Sequence, residues 1–312
     1  MLIRITALCS LMAVAAALLL VGAGPSLTAG AQPATPPPLE AIHVSGDVYT
    51  LQTPTAGGNL GALIGPDGVL LVDAQFSAES QPILDALSGL TDESIRFLIN
   101  THIHPDHIGA NAELADHGVL IFAHDLVREQ MLDRIRIPRR GGVFFDQPPP
   151  EARPVVTYDK EITFHVNGEA VRSFLVPPSH TGGDSFVYFP SADVLHTGDV
   201  FRTNMYPIVD VRNGGTFSGM VEAIELAIDL AGSETKVIPG HGFGFTDQAG
   251  LEEVLGMMTD IRDRVQTLIS NGASLDEVLA ARPTAHLDER WGGVPSWTAV
   301  DLLPIVYEEY SD

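Results

Sequence analysis

Residues 101–111, "THIHPDHIGAN", hold three histidines and an aspartate within six positions, in a chain that has 11 histidines in 312 residues. Such an H-x-H-x-D-H pattern arises by chance in roughly one chain of this composition per thousand, so it asks for a chemical reason. Imidazole nitrogens and a carboxylate are the ligands of a zinc-like ion. In an extended segment leaving the apolar run "IRFLIN", His102 and His104 lie two apart and their rings can converge on one ion. Asp106 and His107 follow one short turn later and can face a neighbouring ion. A hydrolytic zinc needs three protein ligands and an open position for water, so this segment alone is incomplete. Three later places supply more: His180 in "VPPSHTGGDS", Asp199 in "VLHTGDVF" and His241 in "KVIPGHGFG". Each sits in a glycine-containing loop after an apolar strand, where backbone can approach an ion closely. His43, His117, His124, His165, His196 and His286 match no ligand pattern and read as surface or hydrogen-bonded core residues.

The elements that position these residues need a core. With 45 % hydrophobic residues and a mean hydropathy of +0.16, the chain has ample material for one. Residues 1–31 read as a secretory signal peptide: Arg4 is the charged start, a long apolar run follows, and Ala29-Gly30-Ala31 offers a cleavage site. An uncleaved membrane anchor is the alternative. The Pro-rich residues 32–40 read as a linker, leaving 41–312 as one domain. Cleavage would remove Cys9, the only cysteine, and with it every disulfide and thiolate ligand. The expected location is periplasmic or secreted, with no membrane contact after cleavage. The mature chain would carry 16 basic against 40 acidic side chains, and such a field repels nucleic acid and polyphosphates. A small-molecule substrate is the partner that remains; no residue pattern sets an oligomeric state.

Periodicity fills in the domain. "AIHVSGDVYTLQT" alternates like a strand, "NLGALIGPDGVLLVDAQF" reads as two strands about a Pro-Asp-Gly turn, and "SAESQPILDALSGL" has helical spacing. Further strands are predicted at "IRFLIN", "EITFHV", "VRSFLV", "SFVYF", "VLHTGDV" and "TKVIP". Helices are predicted at "NAELADHG", "FSGMVEAIELAIDLA" and "AGLEEVLGMMTDIRDRVQTLISNG". Strands and helices recur in two similar halves, the pattern of sheets packed face to face with helices outside.

In five motifs and their order, "GGNLGALIGPDGVLLVDAQF", "THIHPDHIGAN", "PPSHTGGDSFVYFP", "VLHTGDVF" and "IPGHG", the chain resembles the metallo-β-lactamase superfamily over about residues 40–270. The resemblance implies an α/β fold, the four-layer αβ/βα sandwich, with a two-metal site at one edge. It assigns His102, His104 and His180 to a first zinc, Asp106, His107 and His241 to a second, and Asp199 to both. Asp73 becomes the acceptor that holds a ligand histidine. Two zinc ions would make hydroxide from water at neutral pH, and Asp106 would orient it and move its proton. The first two lactamase subclasses use a cysteine where this chain has Asp199, and the third generally lacks a bridging aspartate. The "HTGD" motif therefore points to ester, lactone or amide hydrolysis, with a third-subclass-like β-lactamase as the alternative. A further alternative is a persulfide dioxygenase binding one iron through His102, His180 and Asp199.

Two stretches are expected to meet substrate. In "RIRIPRRGGVFFDQPPP", Arg139 and Arg140 would attract an anion and Phe144 and Phe145 would cover apolar substrate, as a flap beside the metals. The competing reading is a helix end whose arginines face its dipole. Arg202, three residues after Asp199, would hold a substrate carboxylate in its planar fork.

Overall fold

The computed structural model describes residues 36–53, 57–138 and 142–311; the expected signal peptide, and the linker up to residue 35, lie outside the described residues. Strands β1 (Glu40–Ser45), β2 (Val48–Gln52), β3 (Leu60–Leu63), β4 (Val69–Val72), β5 (Ile95–Ile99) and β6 (Leu120–His124) come first. A hairpin of β7 (Ile135–Ile137) and β8 (Val143–Phe145) follows, then β9 (Val156–Tyr158), β10 (Glu161–Val166), β11 (Glu169–Leu175), β12 (Ser185–Phe189), β13 (Val194–His196) and β14 (Lys236–Ile238). The helices are α1 (Ser80–Ser88), α2 (Pro105–Ile108), α3 (Asn111–Asp116), α4 (Asp125–Gln130), α5 (Phe217–Leu230), α6 (Gln248–Ser270), α7 (Leu275–Ala281), α8 (Asp288–Trp291) and α9 (Ala299–Ser311). None of the described helices is long and apolar enough to cross a membrane.

One sheet has seven strands in the order β1-β2-β3-β4-β5-β6-β9 and the other five in the order β10-β11-β12-β13-β14. The alternation of side chains along a strand decides the layers. In β4, Val69 and Leu71 join Ile83, Leu87 and Leu114 in a core under α1 and α3. Leu70 and Val72 turn the other way, onto Phe164, Val187 and Val194 of the second sheet. In β12, Val187 faces the first sheet while Phe186 faces α5, α6 and α9, packing with Ile224, Met258 and Leu302. Helix, sheet, sheet, helix is the four-layer sandwich expected from the two similar halves.

Departures from the predicted elements are local. The stretch "AIHVSGDVYTLQT" makes two strands, because Gly46-Asp47 reverses the chain and β1 pairs antiparallel with β2. Helix α4 ends at Gln130, so the arginine-rich stretch is a β-hairpin and not a helix end. Its three-residue strands are too short to show an alternation.

Candidate metal centre

Each candidate ligand is delivered by the end of a strand. His102, His104, Asp106 and His107 follow β5, the last two on α2, which Pro105 starts at its first position. From the second sheet come His180 after β11, Asp199 after β13 and His241 after β14. Four of these, His102, His104, His180 and Asp199, bring ligand atoms within 4.8 Å of one another; Asp106, His107 and His241 form a second such group. All are buried except Asp106, which is partly exposed. Close approach of Asp199 requires a glycine opposite it: a Cβ at Gly240 would collide with Asp199 Oδ1 and with the backbone of Gly198.

The hydrogen bonds on the outer side of the rings fix what the inner side offers. His104 Nε2 donates to Asp210 Oδ2 (2.9 Å), His180 Nδ1 to the Ile208 carbonyl (2.7 Å) and His107 Nδ1 to Asp73 Oδ2 (2.7 Å). The Thr101 hydroxyl donates to Asp73 Oδ2 (2.7 Å) and so accepts from His102 Nδ1 (3.0 Å). In a neutral imidazole one nitrogen carries the proton, so the inner nitrogens of His102, His104 and His180 present lone pairs, and that of His107 does so once a cation displaces its second proton. His104 Nδ1 and His180 Nε2 therefore face each other at 2.9 Å as two acceptors. His102 Nε2, His107 Nε2, His241 Nε2 and Asp199 Oδ1 are buried with no hydrogen-bond partner. Buried acceptors without donors are costly, and a cation among them removes the cost. The residues fit bound metal.

Electrostatics agree. Burial, with His107 and His180 beside it, holds His102 well below the usual imidazole range, and burial with His104 pushes His180 down to about 3. Both are neutral ligands at working pH. Burial also lowers His107, but Asp199, Asp73 and Asp106 together drive it well above its ordinary value: this part of the site holds negative charge that a cation would balance. Burial would raise Asp199, yet His241, Arg202 and His107 keep it far below the carboxylate range. His241 Nε2 stands 3.1 Å from Asp106 Oδ2 and 3.4 Å from Asp199 Oδ1.

Asp73 also lies near His102 and His107 as a possible ligand, but its carboxylate is taken by the Thr101 amide, the Thr101 hydroxyl and His107 Nδ1, so it stands behind the ligands. Asp210 does the same for His104 and was not expected from the sequence. Its one signal is an apolar run, "YPIVD", closing on an aspartate as "VLLVD" does at Asp73.

The residues expected to meet substrate separate. Arg202 lies on the wall of a cavity of about 360 Å³ that also touches Asp106 and His241. It is nine-tenths buried and donates from Nη1 to Asp199 Oδ2 (3.1 Å), so part of its fork is spent on the metal ligand. Phe144 and Phe145 do not line that cavity. Phe144 is 52 % exposed under the guanidinium groups of Arg134 and Arg136, and Phe145 packs near Ile108 and Ile135 in a small separate core. Phe145 shares a surface hollow with Pro105 and Ile108 of α2, while Arg136 and Ile137 on the other strand of the hairpin line a cleft with Asp210 and Trp297. Arg139 and Arg140 lie outside the described residues.

Comparison with known proteins follows the same lines. Residues 55–248, which include every candidate ligand, match the family model described as the metallo-beta-lactamase superfamily. The linear primary-alkylsulfatase of Pseudomonas sp. is 24 % identical over 275 residues, 73 % of this chain and 52 % of that protein. The hydroxyacylglutathione hydrolase of Trichodesmium erythraeum is 30 % identical over 154 residues, 49 % of this chain and 47 % of its own length. The chain thus spans about half the length of these curated relatives. Among solved structures, a metallo-beta-lactamase from Pontibacter korlensis superposes with a TM-score of 0.60 at 17 % identity, covering 71 % of this chain and 99 % of that one. A sec-alkylsulfatase from Pseudomonas sp. gives 0.66 at 18 %, covering 87 % and 50 %. These likenesses are of fold. Sandwich, ligand set and family match agree: the chain belongs to the metallo-beta-lactamase superfamily.

Proposed function

We propose that this chain is a metal-dependent hydrolase with a two-zinc centre, cleaving an ester, lactone or amide-type bond in a small molecule. The observation that carries it is the set of buried, unpartnered ligand atoms converging from both sheets. A bound zinc pair would supply Lewis acidity, bringing the pKa of a shared water toward 7 and polarising the scissile carbonyl. The protein's own groups do the rest. Asp106, with 18 % of its side chain exposed toward the cavity, is the group placed to take a proton and pass it to the leaving atom. Asp73, Asp210 and the Ile208 carbonyl hold the ligand rings in one orientation and one tautomer. Because Asp106, His107 and His241 form a second ligand group beside the first, two ions are favoured over the single iron of a dioxygenase.

Relatives named as a sulfatase and a hydrolase support the hydrolytic reading. Export belongs to the same proposal and is supported by residues 1–31, with 41–312 as the hydrolase domain. The test is metal analysis of the purified protein with a side-by-side assay of a carboxylic ester, an acyl-lactone, a thioester, an alkyl sulfate and a penicillin. Two zinc ions per chain and ester or lactone turnover abolished by chelator are expected. One iron per chain, or a β-lactam preferred tenfold, about 1.4 kcal/mol, would replace this reading.

A further inference from the structure

The cavity beside the ligands has a mixed polar and apolar lining. Asp106, His241 and Arg202 share its wall with the polar side chains of Gln52, Thr53, Asn59, Asn204 and Ser296, and Phe76, Met205, Ile208, Val294, Trp297 and Phe243 add the apolar part. Phe243, two residues beyond His241, is 82 % exposed, the largest exposure of any bulky apolar side chain among the described residues. A lone apolar residue on a loose surface loop needs no explanation. The loop of Phe243 is fastened on both sides. Gln52 grips Gly244 twice, its Nε2 donating to the carbonyl (2.7 Å) and its Oε1 accepting from the amide (2.8 Å). Asn59 Nδ2 donates to the carbonyls of Pro239 (2.9 Å) and Gly242 (3.1 Å). Gly242 and Gly244 both adopt positive φ (119° and 68°), a conformation glycine takes without strain, so the chain bends on each side of Phe243 and presents its ring outward. The fold holds an aromatic ring at the cavity rim instead of burying it.

Val294, Ser296 and Trp297 on the same cavity's wall lie beyond the region matched by the family model. Trp297 is fixed there by its indole N–H, which donates to the Pro207 carbonyl (3.0 Å).

We propose that Phe243 and residues 294–297 form a seat for the apolar part of the substrate, and that the substrates are amphiphilic esters. The scissile bond would lie over the ligand cluster and a hydrocarbon chain or ring between Phe243 and Trp297. This rests on the hydrolytic reading above, but its test reads binding without turnover. Butanoate, hexanoate, octanoate and decanoate, as product-like ligands below their micellar concentrations, are titrated into the zinc-loaded full chain by calorimetry. Affinity should rise roughly two- to fourfold per methylene while the chain is entering the cavity. Phe243→Ala should lose at least half of that increment with zinc content and circular dichroism unchanged, since the ring is exposed; Val294→Ser should lose a smaller part. Affinity indifferent to chain length, or a full increment retained by Phe243→Ala, overturns the proposal. Length-dependent binding with no turnover of the matching esters would remove hydrolysis and leave the seat standing. Ester turnover with length-independent binding would do the reverse.

Discussion

At the scale of single residues, the centre depends on what stands behind each ring. Asp210 holds His104, so Asp210→Ala frees that ring without removing a ligand. The expected cost is a 10- to 100-fold loss of affinity for the first ion, measured by competition with a chromophoric chelator; an unchanged affinity would show that His104 needs no partner. Asp106→Ala and His241→Ala remove ligands of the second group and should each yield a folded protein with one zinc and little hydrolysis. Two zinc ions and full turnover in either variant would sink the ligand assignment. The candidate ligands were legible in the sequence because each sits in a short motif behind an apolar strand. Asp210 was not, since it reaches His104 from 106 positions away along a loop with no periodicity. The hairpin that carries Phe144 and Phe145 was not legible either, because its three-residue strands are too short to show an alternation.

At the scale of elements, strand ends and their loops set the geometry. The strands with clear alternation were predicted closely, and β10 spans the very residues of "EITFHV". The helices after α6 were not foreseen: α7 and α8 have only seven and four residues, and α9 carries Pro304 inside it. Gly240→Ala tests the loop after β14, where a methyl group must push Asp199 aside. Loss of most bound zinc with native circular dichroism is expected, and normal zinc content would show that the loop yields. The loop before β12 is pinned by Asp184, which accepts from the Thr181 amide (2.7 Å), the Thr181 hydroxyl (2.6 Å) and the Ser179 hydroxyl (3.0 Å). Burial pushes its carboxyl up to about 6 from an ordinary 3.8, against the pull of those donors. Between these values the folded protein keeps a proton that the unfolded chain has released. The contribution of Asp184 is therefore greatest below about 4 and is lost as pH rises through 6. In metal-free protein, Asp184→Asn should flatten the rise of Tm between pH 7 and pH 4; parallel profiles for the two proteins would refute it.

At the scale of the whole molecule, a net charge of −23 works against compactness through self-repulsion. Raising salt from 0.01 to 0.15 M shortens the screening length from about 30 to about 8 Å, so Tm should rise over that range, and a fall would mean that attractive pairs dominate. The two-halved layering was legible because alternation within each strand reports both of its faces; the placement of the C-terminal segment on the cavity was not, since nothing in its pattern names its neighbour. The centre draws four ligand residues from the first sheet and three from the second, with 139 positions between His102 and His241. No partial assembly of one half can present the complete set, so the site comes into being only after the sheets have docked. On the proposed function zinc is a brake on the way out and no help on the way in: each ion held should slow unfolding by about 100-fold when free zinc is 100 times that site's dissociation constant, and leave the refolding rate untouched. Stopped-flow urea jumps with and without zinc measure both limbs, and refolding that quickens with zinc would place metal capture before the sheets meet.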